Sequence, residues 1–351
     1  MQALRIVETL LISWVGTLGV GVAAGADRAS PAIVPQTMRA MAIDRTGGPE
    51  VLTLHTLPVP SLGPDEVLIA LDTAGVGPWD IDVRQRLDDW KHKSFPVVLG
   101  VDGAGTVAAV GSHVRRFKIG DPVYSYVWDN PKGGFYAEYV AVAAGAVGHV
   151  PAGMSLQDAG AMAVSALTAE QGIDDALHLK AGETVIIHGA SGAVGSLAVQ
   201  FAKLRGAKVL AIASGDDGVS LVRRLGADAA VDGHHADIAA AAHEFAPSGV
   251  DAALGLAGGA ALERSIDTLR SGGRVAYPAG VDPPPKARAG LKLVRYNALT
   301  GAKEFERLNA AIIAAKLQVP IGAEYPLEHA AEAHQRIQAG HGLGKFVLSI
   351  R

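Results

Sequence analysis

Residues 184–195 run Thr-Val-Ile-Ile-His-Gly-Ala-Ser-Gly-Ala-Val-Gly, an apolar strand pattern that enters a glycine-rich turn and continues into a helical pattern, Ala193–Arg205. Such a turn gathers unpaired N–H groups at the positive end of a helix dipole, which is what a pyrophosphate requires. Gly192 allows the backbone to approach phosphate, and Gly195 allows the helix to pack closely on the strand. Ala190 replaces the usual first glycine of G-x-G-x-x-G, so Gly189 is expected to supply the tight turn. The cradle is therefore Gly189, Ala190, Ser191, Gly192, Ala193, Val194 and Gly195. A second strand follows at Lys208–Ala213, the context that turns a weak motif into a dinucleotide site. Ser214 ends that strand, where an NAD site usually has an acid for the ribose 2′-OH; a small neutral residue suits a 2′-phosphate. Asp216 and Asp217 oppose a phosphate unless turned aside, and the nearest cations in sequence are Arg223 and Arg224. The reading favours NADPH and leaves NADH open.

Around this turn short apolar strands alternate with helices: Thr184–His188, Lys208–Ala213, Gly218–Leu225, Val250–Gly255, Ala260–Leu269, Arg274–Ala279. That alternation predicts a doubly wound parallel sheet. Before it, Ser155–Gln171 is a helical stretch, and Met38 to about Pro151 is β-rich, with a half-buried strand expected at Val67–Leu71. After it, Ala302–Ala315 and Leu327–Ala339 are amphipathic helices, and a last strand, Lys345–Ile350, can rejoin the β-rich part.

Composition narrows the chemistry. The 351 residues carry a formal net charge of −4, which gives nucleic acid no basic field to bind. No cysteine is present, so thiolate nucleophiles, Cys-ligated zinc and iron–sulfur clusters are excluded. At the N-terminus Arg5 precedes an apolar run, Leu10–Ala24, and Ala24-Gly25-Ala26 resembles a cleavage site, which points to an export or membrane-anchoring segment. Against that stand Glu8, the lack of a twin arginine, and Met38, which starts the globular part cleanly. Residues 1–37 are read as leader and linker, with a cytoplasmic protein favoured and an exported one as the alternative.

The turn and the segment after it, Ser196-Leu197-Ala198-Val199-Gln200-Phe201-Ala202-Lys203, resemble the zinc-independent quinone oxidoreductases of the medium-chain dehydrogenase/reductase superfamily. Gly47-Gly48-Pro49-Glu50-Val51-Leu52, Gly120-Asp121-Pro122-Val123, Tyr136-Ala137-Glu138-Tyr139-Val140, Leu225-Gly226-Ala227-Asp228 and Gly344-Lys345-Phe346-Val347-Leu348 agree in order and spacing. The resemblance implies an α/β fold. A GroES-like β-rich substrate domain would be built from residues 38–160 and 300–351, and a Rossmann domain would span 161–299. It also implies a homodimer. Zinc-dependent members carry a ligand Cys where this chain has Gly77, and Gly-His-Glu where it has Gly100-Val101-Asp102; neither Gly77 nor Val101 can bind metal.

Without a Lewis acid, the expected reaction is hydride transfer to a carbon that is already electrophilic, in a quinone or an α,β-unsaturated carbonyl. The resemblance places Trp79 and Asp80 near the nicotinamide, Trp79 as a pocket wall and Asp80 orienting a water or a side chain; the plainer reading makes them core and helix cap. Tyr124, Tyr126, Trp128, Phe135 and Tyr136 crowd one region and could form an aromatic wall, with Tyr126 or Trp128 touching substrate and Tyr126 able to donate a proton. Thr168 and Lys345 match family segments that face the cofactor, and Ala279 ends a strand on the ligand side of the sheet. His234-His235 is expected to be a solvated loop. The alternatives are an enoyl-thioester or alkene reductase, and a dinucleotide-binding redox sensor without catalysis.

Overall fold

The computed structural model describes residues 34–86, 94–340 and 342–351. The leader reading falls on residues outside these, apart from the linker's last residues. The first strand, β1 (Thr37–Ile43), already includes Thr37, which the sequence reading left in the linker, because Thr37 pairs with Pro58. It is followed by β2 (Leu52–Pro58), β3 (Glu66–Val76), α1 (Pro78–Gln85), β4 (Val97–Val98), β5 (Asp102–Val110), β6 (Pro122–Tyr126), β7 (Tyr139–Ala143), β8 (Val147–His149) and α2 (Leu156–Gln171). The nucleotide-binding part contains β9 (Thr184–His188), α3 (Ala193–Leu204), β10 (Lys208–Ala213), α4 (Gly215–Arg224), β11 (Ala229–Asp232), α5 (Ile238–Phe245), β12 (Val250–Gly255), α6 (Ala260–Ile266), β13 (Leu269–Pro278) and β14 (Lys292–Tyr296). The chain closes with α7 (Ala302–Ala315), β15 (Ile321–Pro326), α8 (Ala330–Gln338) and β16 (Lys345–Ser349).

Among the described residues, β9 to β14 form a parallel sheet in the order β11-β10-β9-β12-β13-β14. Strand order reverses between β9 and β12, the switch point at which open α/β sheets bind ligands beyond their strand C-termini. The β-rich part has a larger sheet in the order β15-β16-β3-β5-β6-β8, with β7 on β3, and a small one, β2-β1-β4. The last strand does rejoin the β-rich part, since β16 runs antiparallel to β3 with Leu348 opposite Ala74.

Two local expectations shift. β3 is buried on both faces rather than half-buried, because α2 packs across β3 and β5 on one side while the apolar core of the β-rich part fills the other. The helix expected at Ala260–Leu269 stops at Ile266, because Leu269 opens β13 by pairing with Val250. α2 begins where its cap predicts: Ser155 Oγ accepts the Asp158 N–H at 3.0 Å.

Candidate active site

The glycine turn joins the end of β9 to the start of α3. Gly189 has φ +82°, so it does make the tight turn that Ala190 could not. A Cβ at Gly195 would collide with the Gly189 carbonyl oxygen and stand 2.6 Å from Ala190 Cα, so helix and turn are in backbone contact there. α3 has no side-chain cap at its N-terminus. Its first N–H groups are thus left to an anion, and the turn fits a pyrophosphate.

Of the other expected cofactor residues, Ser214 touches this turn. Ser214 precedes α4, and its N–H donates to Ser191 Oγ at 3.2 Å. Its Oγ is 3.0 Å from His234 Nε2, and both His234 and His235 are exposed, as expected of a solvated loop. Asp232 accepts the N–H groups of Gly215 and His234 at 3.2 and 3.1 Å. Ala279 follows β13 and donates its N–H to the Tyr296 carbonyl at 2.9 Å. Thr168 is on α2, where its hydroxyl donates to the Val164 carbonyl at 2.8 Å and its own carbonyl accepts the Tyr296 hydroxyl at 2.9 Å.

A second cluster adjoins the turn through the last strand. Gly344 donates its N–H to the Ser191 carbonyl at 2.9 Å, and Gly344 bridges Gly192. The next residue, Lys345, is only 2% exposed. Its Nζ is 3.5 Å from both carboxylate oxygens of Asp102 and 4.9 Å from the Trp79 ring centroid. Asp102 also accepts the Val164 N–H at 3.2 Å, which ties the pair to α2. Burial pushes the Asp102 carboxyl up, and the Lys345 charge pulls it back down.

Asp80 is the third residue of α1. Its Oδ2 accepts the Gly77 N–H at 2.8 Å, so it does cap the helix, and it also accepts the Tyr136 hydroxyl at 3.1 Å. Burial pushes the Asp80 carboxyl up to about 7 against these bonds and the Lys345 charge. Trp79 Nε1 is buried without a hydrogen-bond partner among the described residues. An orphaned indole N–H calls for an acceptor that the described residues do not supply.

The aromatic wall is only partly realised. Tyr124, Phe135 and Tyr136 are fully buried core, Tyr124 stacking edge-on to Phe305 and bonding Asn309 at 2.7 Å. Tyr126 is 8% exposed, and burial with the Asp102 charge pushes its phenol up to about 12. Trp128 is 43% exposed.

Known proteins resemble the chain over most of its length. A model of the alcohol dehydrogenase GroES-like domain matches residues 63–152, and one described as zinc-binding dehydrogenase matches 225–348. The quinone oxidoreductase of Sus scrofa is 32% identical over 326 residues, covering 89% of this chain and 97% of its own length. The chain belongs to the quinone oxidoreductase family. With it come the GroES-like and Rossmann parts of the medium-chain dehydrogenase/reductase superfamily. An NADPH-dependent alkenal/one oxidoreductase of Arabidopsis thaliana is 29% identical over 90% of the chain and 81% of its own length. A mycobacterial protein solved with NADPH superposes with a TM-score of 0.78 at 28% identity, covering 89% of this chain and all of that one.

In this quinone oxidoreductase-family chain the position of the zinc enzymes' first ligand is filled by carbon. A Cβ at Gly77 would run into the Trp79 ring, so the indole occupies the space that a ligand side chain would take. Val101 is fully buried in the core. No three of His, Asp and Glu gather as a metal site among the described residues. Sequence reasoning missed Tyr136 as an Asp80 partner and treated Asp102 only as a failed match to Gly-His-Glu. It missed His334 altogether, since a lone histidine on an amphipathic helix carries no signal.

Proposed function

We propose that the protein transfers hydride from NADPH to a quinone or an α,β-unsaturated carbonyl, with Trp79, Asp80, Tyr126 and Trp128 on the substrate side. The observation that carries this reading is the join at Gly344: an uncapped pyrophosphate turn is stitched directly to a cluster of indole, ammonium and carboxyls. Bound at the turn, the dinucleotide would supply the hydride, and the protein's part is to orient the acceptor and stabilise its oxyanion. Thr168, Ala279 and Lys345, with Ser191, Ser214 and the turn, would hold the cofactor.

The Tyr126 phenol, held protonated by burial, suits an oxyanion hydrogen bond better than proton delivery, because an acid works best when its pKa lies near the operating pH. The orphaned Trp79 N–H is a second donor for the acceptor's oxygen. NADPH over NADH rests on Ser214 and on Asp232 being engaged by backbone amides. The family also suggests a homodimer, and β14, at the end of the parallel sheet, offers an edge for pairing. Among the described residues no helix is long and apolar enough to cross a membrane. A cytoplasmic location stays with this reading on the ground of NADPH supply, to be checked by the mass of the mature N-terminus.

The test is a matrix of NADPH and NADH against simple quinones and enones. Turnover with NADPH at least tenfold more efficient than with NADH is expected. Binding of NADPH without turnover across the panel would leave a dinucleotide-binding protein and sink the enzyme.

A further inference from the structure

A buried polar chain runs away from the substrate side, and the hydride chemistry above does not use it. Asp80 Oδ2 takes the Gly77 N–H and the Tyr136 O–H, while Oδ1 takes no hydrogen bond among the described residues. Tyr136 Oη is also 3.2 Å from His334 Nε2. A phenol has one proton, and Tyr136 commits it to Asp80, so His334 must be the donor, as its Nε2–H tautomer. Its other nitrogen, Nδ1, is buried without a partner, where a bare lone pair fits and an N–H would not. Burial and the Arg84 charge push His334 down to about 3, which keeps it neutral. Arg84 itself, fully buried on α1, feels Glu50 and Tyr136.

The placement of the buried cations decides the state of Asp80. Lys345 stands at Asp102, 3.5 Å away. Arg84, the other buried cation among the described residues, donates to Gln338 at 3.2 Å, so neither forms an ion pair with Asp80. Asp80 is left as the carboxyl that keeps its proton. With both hydrogen bonds entering Oδ2, that proton belongs on Oδ1.

Resting on the reductase reading, we propose that Asp80 is the acid of the reduction, its proton carried on Oδ1, and that Tyr136 and His334 are positioning residues that hold it there. Hydride addition brings two electrons and one hydrogen to the substrate and leaves an oxyanion. The Asp80 Oδ1–H bond breaks, its electron pair stays on Oδ1, and a new O–H bond forms on the substrate. The resulting carboxylate is held by the Gly77 N–H, the Tyr136 O–H and the Lys345 charge, and solvent returns the proton once product leaves.

Infrared difference spectra of the cofactor-free protein, wild type against Asp80→Asn, test the proton directly. A protonated-carboxyl band is expected at pH 6 and should be gone at pH 9. In turnover, kcat should fall on a basic limb that Asp80→Asn abolishes, with kcat down about a hundredfold. Tyr136→Phe removes a bond that favours the carboxylate, so the limb and the infrared transition should both move up by about one pH unit, with KM unchanged. His334→Leu, which withdraws the N–H from Tyr136, should also move both, whereas His334→Gln, which keeps a side-chain N–H, should leave both near wild type. A missing band at pH 6, or a limb that ignores Tyr136→Phe, overturns the proposal. A chain with the band but no reductase turnover would instead overturn the reading of function.

Discussion

The proposed pyrophosphate turn and the Lys345 cluster adjoin one another through Gly344, yet they are built on opposite principles. The turn is one continuous stretch whose working atoms are backbone N–H groups, and its side chains matter by being small. The cluster draws Trp79 and Asp80 from α1, Asp102 from β5, Tyr136 from a loop, His334 from α8 and Lys345 from β16, and its working atoms are buried polar side chains. A backbone site fails when bulk is added to it. A buried charge site fails when one charge is removed, because the partner is then left without compensation.

The contrast is broken most severely at Lys345. Lys345→Met leaves Asp102 buried and unpaired, and we expect a loss of roughly 3–5 kcal/mol at pH 8. The sign with pH follows from linkage. Burial already raises the Asp102 carboxyl, and without Lys345 it rises further. Such a group binds more protons folded than unfolded, so stability falls as pH rises toward its folded pKa. The defect should therefore shrink as pH is lowered toward 5, and Asp102→Asn added to Lys345→Met should recover part of it. Urea denaturation of the three proteins at both pH values checks this; a defect equal at both would mean that Lys345 matters for packing alone.

Gly195→Val probes the other principle. The new side chain meets the Gly189 carbonyl and Ala190 Cα, both backbone, so turn and helix must separate. Overpacking of this kind costs about 1–3 kcal/mol. Dinucleotide affinity should drop by more than tenfold with no change in the pH dependence of stability, read by cofactor fluorescence and thermal melts. A variant that still binds NADPH like wild type would separate the turn from the pyrophosphate.

The same contrast explains how much could be read from the residues alone. Gly189–Gly195, the strand before it and the helix after it are local, so glycine spacing and apolar runs disclosed them, and β9, β10, β12 and α7 have the boundaries that the pattern implies. The loss of zinc ligands at Gly77 and Val101 was equally legible, because it concerns residue type. Tertiary pairing was not. Val67–Leu71 has the alternation of a half-exposed strand, and only packing against α2 buries it. Phe135 and Tyr136 belong to the same aromatic-rich stretch as Trp128, and the burial that makes two of them core and leaves the third exposed is set by distant residues. His334 meets Tyr136 across 198 positions, a contact that no local pattern encodes.

The smallest expected effect is also the one that best separates a pocket residue from a surface one. Tyr126 and Trp128 are two positions apart, but the first is 8% exposed and the second 43%. Because so much of Trp128 is already in water, Trp128→Ala should leave stability within about 0.5 kcal/mol of wild type. If its ring stacks on the substrate, the loss is about 0.5–1.5 kcal/mol per aromatic pair. That corresponds to a KM about two- to tenfold higher for an aryl quinone, with little change for a small aliphatic enone that offers no ring. Steady-state kinetics on the two substrates make the comparison. An equal change in both would show that Trp128 shapes the loop and not the acceptor, and no change in either would remove it from the substrate side and leave Tyr126 as that stretch's contribution to the site.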